Sequence, residues 1–158
     1  MGNIFYKNQN NRNRKITYEY EETKNDISII KLHIPKGKNL DLTEMIYSIK
    51  ESKNKIKQIF KLDKIKYICN SWLLSNQVYN ILDKNSNIYF FHNLFDGQDG
   101  KDCVNDIMNF VYRTNNCNNY KELPESTILQ KRIKEKLLNN QKFYLEVGVL
   151  KEEIYLNR

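Results

Sequence analysis

The chain has 158 residues, 40% of them hydrophobic, with only five glycines and two prolines; this excludes a low-complexity chain and suffices to bury one core without disulfides or metal. No apolar run approaches the roughly 20 residues of a membrane-spanning helix, and the polar N-terminus lacks a signal-peptide pattern, so a cytoplasmic protein away from the membrane is expected. The net charge of +7, from 26 basic and 19 acidic residues, leaves two readings open: a soluble Lys- and Asn-rich surface, or an acidic partner such as nucleic acid or a nucleotide-bearing cofactor.

Residues 1–14 are polar and Asn-rich and are expected to form a flexible lead-in to a single domain over residues 15–158. Residues 16–21 alternate, with Ile16, Tyr18 and Tyr20 on one face, as a half-exposed strand does. A turn at Lys24-Asn25-Asp26 leads to a hairpin partner over Ile27 to Ile34, which Pro35 ends because it cannot donate to the ladder. Asp41 and Glu44 have capping-box spacing, and Leu42, Met45, Ile46, Ile49, Ile56, Ile59 and Phe60 recur at helical spacing. The intervening loop, Pro35-Lys36-Gly37-Lys38-Asn39-Leu40, is either a plain connection or an anion site at the helix N-terminus.

The run from Tyr67 to Leu74 is almost continuously apolar, as in a strand covered on both faces. Asn70 and Ser71 interrupt it just before Trp72, either as hydrogen-bonded structural groups or as the wall of a pocket. A short helix over Asn76 to Asp83, a turn at Lys84 to Asn87 and an aromatic strand over Ile88 to Phe95 are expected next. Asp96-Gly97-Gln98-Asp99-Gly100 has turn composition but lacks the acidic spacing of a calcium loop. A strand over 106–112, a surface loop over Thr114 to Tyr120, a helix capped by Ser126 or Thr127 and running to about Asn139, and a strand alternating from Phe143 to Val149 complete the chain. The order β-β-α-β-α-β-β-α-β predicts an α/β (α+β) domain with a single mixed sheet flanked by helices.

Catalytic signatures are sparse. The chain has no G-x-S-x-G, H-E-x-x-H or Walker pattern, and its three cysteines form no C-x-x-C pair, which argues against a zinc site. Cys69 lies in an apolar strand and reads as a core thiol. His33 and His92 each fall in a predicted strand, where a lone histidine is either a hydrogen-bonded structural residue or a base.

Several ordered motifs resemble the GNAT-like C-terminal domain of a bacterial acyltransferase family. Leu32-His33-Ile34-Pro35 with Gly37 and Leu40 matches its L-H-I-P-x-G-x-x-L, and Ser48 falls at its helical serine. Cys69, Ser71, Trp72, Leu73 and Leu74 match its C-x-S-W-L-L, and Ser86-Asn87-Ile88 its S-N-I. Phe110-Val111, Leu123-Pro124 with Thr127, Leu129 and Gln130, and Gly148 continue the match over roughly residues 15 to 150. The departures are Asn70 and Lys136 in place of family histidines, and one glycine in the pyrophosphate loop instead of two. Family members also carry a separate N-terminal domain, which this chain is expected to lack.

The resemblance implies a GNAT-like acyltransferase fold that positions an amine against the thioester of acetyl-CoA or another acyl-CoA. Carried over residue by residue, it implies catalytic roles for His33, Ser71 and Tyr79, and cofactor contacts from Ile34, Lys36, Gly37, Lys38 and Trp72, with no metal. The acyl acceptor is then a small molecule or a protein. The alternative is a non-catalytic GNAT-like binding module acting as an inhibitor or adaptor. Nucleic-acid binding is expected to be weak and non-specific, because Tyr89-Phe90-Phe91 reads as core and not as aromatics interleaved with lysines.

Overall fold

Among the described residues six strands, β1 (Phe5–Tyr6), β2 (Thr17–Lys24), β3 (Ile27–His33), β4 (Lys64–Ser71), β5 (Phe95–Asp102) and β6 (Tyr144–Leu150), form one mixed sheet in the order β1-β2-β3-β4-β6-β5. The computed structural model describes residues 5–6, 17–24, 27–34, 40–60, 64–115, 117 and 119–152. The single mixed sheet flanked by helices is the expected class. β2 and β3 are the antiparallel hairpin anticipated from their alternation, and β3 and β4 pair in parallel. A parallel pair needs a long crossover, and helix α1 (Leu42–Phe60) supplies it. The Glu44 backbone N–H donates to Asp41 Oδ1 at 2.9 Å, so the expected acidic cap starts α1. Met45, Ile49 and Ile56 then bury one stripe against Ile30, Leu32, Tyr67 and Cys69 of the sheet. Ser52 sits in that stripe because its hydroxyl donates to the Ile49 carbonyl at 2.7 Å and lies 3.1 Å from the Tyr67 hydroxyl.

The central segment departs from the sequence reading. β4 ends at Ser71, and Trp72–Leu74 turn into a 3-10 helix instead of extending the strand. The physical reason is the Ser71 hydroxyl, which accepts the Leu73 N–H at 3.3 Å and caps the turn. Asn70 is exposed at the strand end, so no buried amide needs satisfying there. The following helix α2 covers only Asn76–Tyr79.

The predicted aromatic strand is instead helix α3 (Asn87–His92). Ser86 caps it by accepting the Tyr89 N–H at 3.2 Å. Ile88 and Phe91, three apart on the helix, face the core while Phe90 stays exposed, a pattern that an unbroken aromatic run conceals. The predicted turn at 96–100 is part of β5, with a register irregularity between Gln98 and Lys101. Its glycines serve close approach to the neighbouring strand: a Cβ at Gly100 would collide with the Leu145 carbonyl.

Residues 106–112 are likewise not a strand. Helix α4 (Val104–Ile107) continues into a π-helical turn over Met108–Tyr112 and ends at Arg113 in the left-handed region, φ 56. Ile107, Met108 and Tyr112, with the partly buried Val104 and Val111, sit three or four apart on one face, so the helical period was present. Helix α5 (Ile128–Leu138) begins as expected at Thr127, in a full capping box with Gln130. α2, α4 and α5 enclose a second core around Val78, Ile107, Ile133 and Phe143, and Trp72 packs against both cores. Among the described residues no helix is long and apolar enough to cross a membrane.

Candidate functional site at the carboxyl ends of β3 and β4

The β3–β4 ladder runs from Ile27 opposite Lys64 to Leu32 opposite Cys69 and ends there. β4 continues through Asn70 and Ser71 paired with β6, where Ser71 stands opposite Glu146. The carboxyl ends of two parallel strands, at the point where they part, are where open α/β sheets bind ligands. His33 is exposed at the end of β3, and Ile34 is half-buried against the same core as Trp72. The parallel register thus brings His33 and Ile34 to the same sheet end as Ser71 and Trp72. Leu40 and Leu42, beside the start of α1, pack on that core as well. Lys36, Gly37 and Lys38, the expected phosphate loop, lie outside the described residues.

Successive rows cross the sheet on its buried face. Leu32, Cys69, Gly148 and Gly97 form one row, and Ser71 with Glu146 forms the next, at the strand ends. Gly148 allows that crossing, since a Cβ there would stand 2.8 Å from the Phe95 Cβ. Glu146 is only 3% exposed. The Asn76 side-chain amide donates to its Oε1 at 2.6 Å, and its Oε2 lies where a Cβ on Gly97 would be. A buried carboxylate is costly unless hydrogen-bonded, and Asn76 at the start of α2 is placed to meet that need. The sequence reading missed this residue because the alternation of β6 put Glu146 on the face opposite Leu145 and Val147, the expected core side.

Tyr79 belongs to a different neighbourhood. It stacks between Tyr89 (ring centroids 4.6 Å) and His92 (4.2 Å) of α3, and its hydroxyl donates to Asn93 Oδ1 at 3.1 Å. The hydrogen bond with Tyr89 raises its pKa above the ordinary tyrosine value. His92 is in helix α3 and not in a strand. Its Nε2 is the one buried side-chain polar atom without a hydrogen-bond partner among the described residues. Burial lowers its pKa, the Leu74 carbonyl opposes that shift, and Lys151 adds to it. Cys69 carries no nucleophilic character: burial pushes its thiol up to about 12. Among the described residues no group of three or more His, Cys, Asp or Glu side chains could hold a metal.

A parallel strand pair whose ladder ends at Leu32 and Cys69, a helical crossover beginning at that same end, and a last strand inserted antiparallel between β4 and β5 together define the GNAT-like acyltransferase fold. The chain belongs to the GNAT-like C-terminal domain family, whose model matches residues 1–150. Among solved structures it is similar to an acyltransferase in complex with decanoyl-CoA, with a TM-score of 0.76 and 24% identity, covering 88% of this chain and 44% of that one. It also resembles an acyltransferase in complex with decanoyl-CoA and teicoplanin (TM-score 0.77, 21% identity, 89% of this chain and 46% of that one). A third, an acyltransferase mutant in complex with octanoyl-CoA, has a TM-score of 0.77 at 21% identity, with the same coverage of 89% and 46%. The chain therefore spans less than half the length of these acyltransferases. No curated protein matches it.

Proposed function

We propose that the protein binds an acyl-CoA between the ends of β3 and β4 and transfers its acyl group to an amine. One observation carries this reading: the β3–β4 ladder ends at Leu32 and Cys69 while β4 continues beside β6. Beyond that point β3 and β4 share no ladder pairs, and in this reading the pantetheine arm enters there. The fold neighbours crystallised with decanoyl-CoA, octanoyl-CoA and, in one case, teicoplanin support the reading.

In this reading Ile34 and Trp72 flank the arm, and Lys36, Gly37 and Lys38 take the pyrophosphate near the start of α1. Ser71 orients the thioester. The amine attacks the thioester carbonyl, the C–N bond forms, and His33 accepts the amine proton. The C–S bond breaks, and the CoA thiolate takes a proton from water, to which His33 returns the one it accepted; Tyr79, stacked with Tyr89 and His92, takes no part.

Calorimetric titration with decanoyl-CoA, acetyl-CoA and CoA tests the proposal. Saturable binding is expected, and it should weaken when Lys36 and Lys38 are changed to Glu without any change in the unfolding midpoint. His33→Ala should lower turnover far more than binding. If none of the three ligands binds saturably, the proposal is wrong; binding without transfer to any amine would leave the adaptor reading.

A further inference from the structure

The turn that carries Trp72 is tied at both ends to the start of β6. At its near end Ser71, the last residue of β4, stands opposite Glu146 in the antiparallel ladder. At its far end the first two side chains of α2 cross to the same strand. The Asn76 amide donates to Glu146 Oε1 at 2.6 Å, and Gln77 Oε1 accepts the Tyr144 N–H at 3.1 Å. The Ser75 hydroxyl donates to the same Gln77 oxygen at 2.9 Å, which joins the end of the turn to that link.

Packing alone is the competing account. Leu73 and Leu74 are buried, and the Ser71 hydroxyl caps the 3-10 turn locally. Packing does not explain the chemistry of the anchor. Glu146 is buried, and a buried carboxylate carries a desolvation cost that an apolar residue of similar size does not. β5 makes room for it, because Gly97 has no Cβ where Glu146 Oε2 lies. Apolar contacts are non-directional, so Leu73 and Leu74 bury the turn without setting its register. Hydrogen bonds depend steeply on distance and angle, and those to Glu146 and Tyr144 hold the turn at one position along β6.

We propose that Asn76, Gln77 and Glu146 are positioning residues of the acyl-CoA site: they latch the Trp72 turn to β6 and so hold the indole in the wall of the cleft. The inference rests on the reading that Trp72 flanks the acyl-CoA arm. The three residues act through Trp72 and not on the reacting atoms. Without the latch, only a fraction of the molecules presents Trp72 in the binding arrangement, and the apparent affinity falls by that fraction.

Two measurements on the full chain test this in Asn76→Ala, Gln77→Ala and the double variant. The first needs no ligand: acrylamide quenching of Trp72, the only tryptophan, at a temperature where thermal scans show every variant folded. Quenching should rise in each single variant and further in the double one. The second is calorimetric titration with decanoyl-CoA, in which Asn76→Ala should weaken binding about five- to tenfold as a lost hydrogen bond to a charged group is passed on in part to the turn. Lys55→Ala removes a hydrogen bond of 2.6 Å to Glu51 in the second half of α1, toward the other end of the sheet, and should change neither readout. Wild-type quenching and affinity in the double variant overturn the latch. Equal changes in Lys55→Ala overturn it too, since the effect would then follow any lost hydrogen bond. A change in only one of the two readouts also overturns it, because Trp72 would not connect the latch to binding. A wild type that binds no decanoyl-CoA overturns the acyl-CoA reading itself, and the positioning role with it.

Discussion

Replacing Gly97 by alanine tests how firmly the Glu146 carboxylate is held. The added methyl would fall on Glu146 Oε2, so either the carboxylate moves or the β5–β6 backbone does. The other oxygen accepts from Asn76 at 2.6 Å, and a hydrogen bond to a charged group contributes about 1.5–3 kcal/mol. Exchanging glycine for alanine returns about 0.4–1 kcal/mol by restricting the unfolded chain. The expected net loss for Gly97→Ala is therefore about 1–2 kcal/mol. Urea unfolding followed by the fluorescence of Trp72, the only tryptophan, reads this as a shifted midpoint with an unchanged slope. The decisive comparison is Gly97→Ala in a Glu146→Ala background, where the obstructing oxygen is gone. There the penalty should vanish, giving a coupling energy of at least about 1 kcal/mol. An equal loss in both backgrounds would refute the reasoning and place the cost in the strand backbone.

Three further outcomes follow from the side-chain environments. Cys69 and Cys103 are buried, and both thiols are pushed up to about 12, chiefly by burial; the half-exposed Cys117 should alone react with a thiol reagent in the native state, and all three in denaturant. His92 has a lowered folded-state pKa, so its neutral form contributes stability that is fully present above the unfolded value of about 6.5 and is lost as pH falls through the folded one. Stability measured from pH 7 to pH 5 should therefore fall more steeply in the wild type than in His92→Gln, and equal slopes would contradict this. Thr127→Ala removes the acceptor for the Gln130 N–H at 3.1 Å and should cost about 1 kcal/mol in chemical denaturation.

The sequence by itself determined the elements whose signals are local. The β2–β3 hairpin, α1 with Asp41 at its head, α5 with Thr127 at its head and the final strand all follow from short-range period and capping, because those interactions form within a few residues. The neighbouring ends of β3 and β4 were also legible, since a strand-helix-strand unit normally sets its strands side by side. Tertiary structure decided the rest. Ile88 to Phe95 has strand composition, yet Ser86 caps a helix that runs to His92, and Phe91 buries to 1% exposure against the first core. Asp96 to Gly100 has turn composition, yet it is a strand because β6, some fifty residues later, inserts between β4 and β5 and its glycines admit Leu145 and Glu146. No local pattern encodes that insertion. The antiparallel register it sets places Glu146 opposite Ser71 at the carboxyl end of β4, so the carboxylate's position depends on pairing across the sheet and not on its own neighbours in sequence.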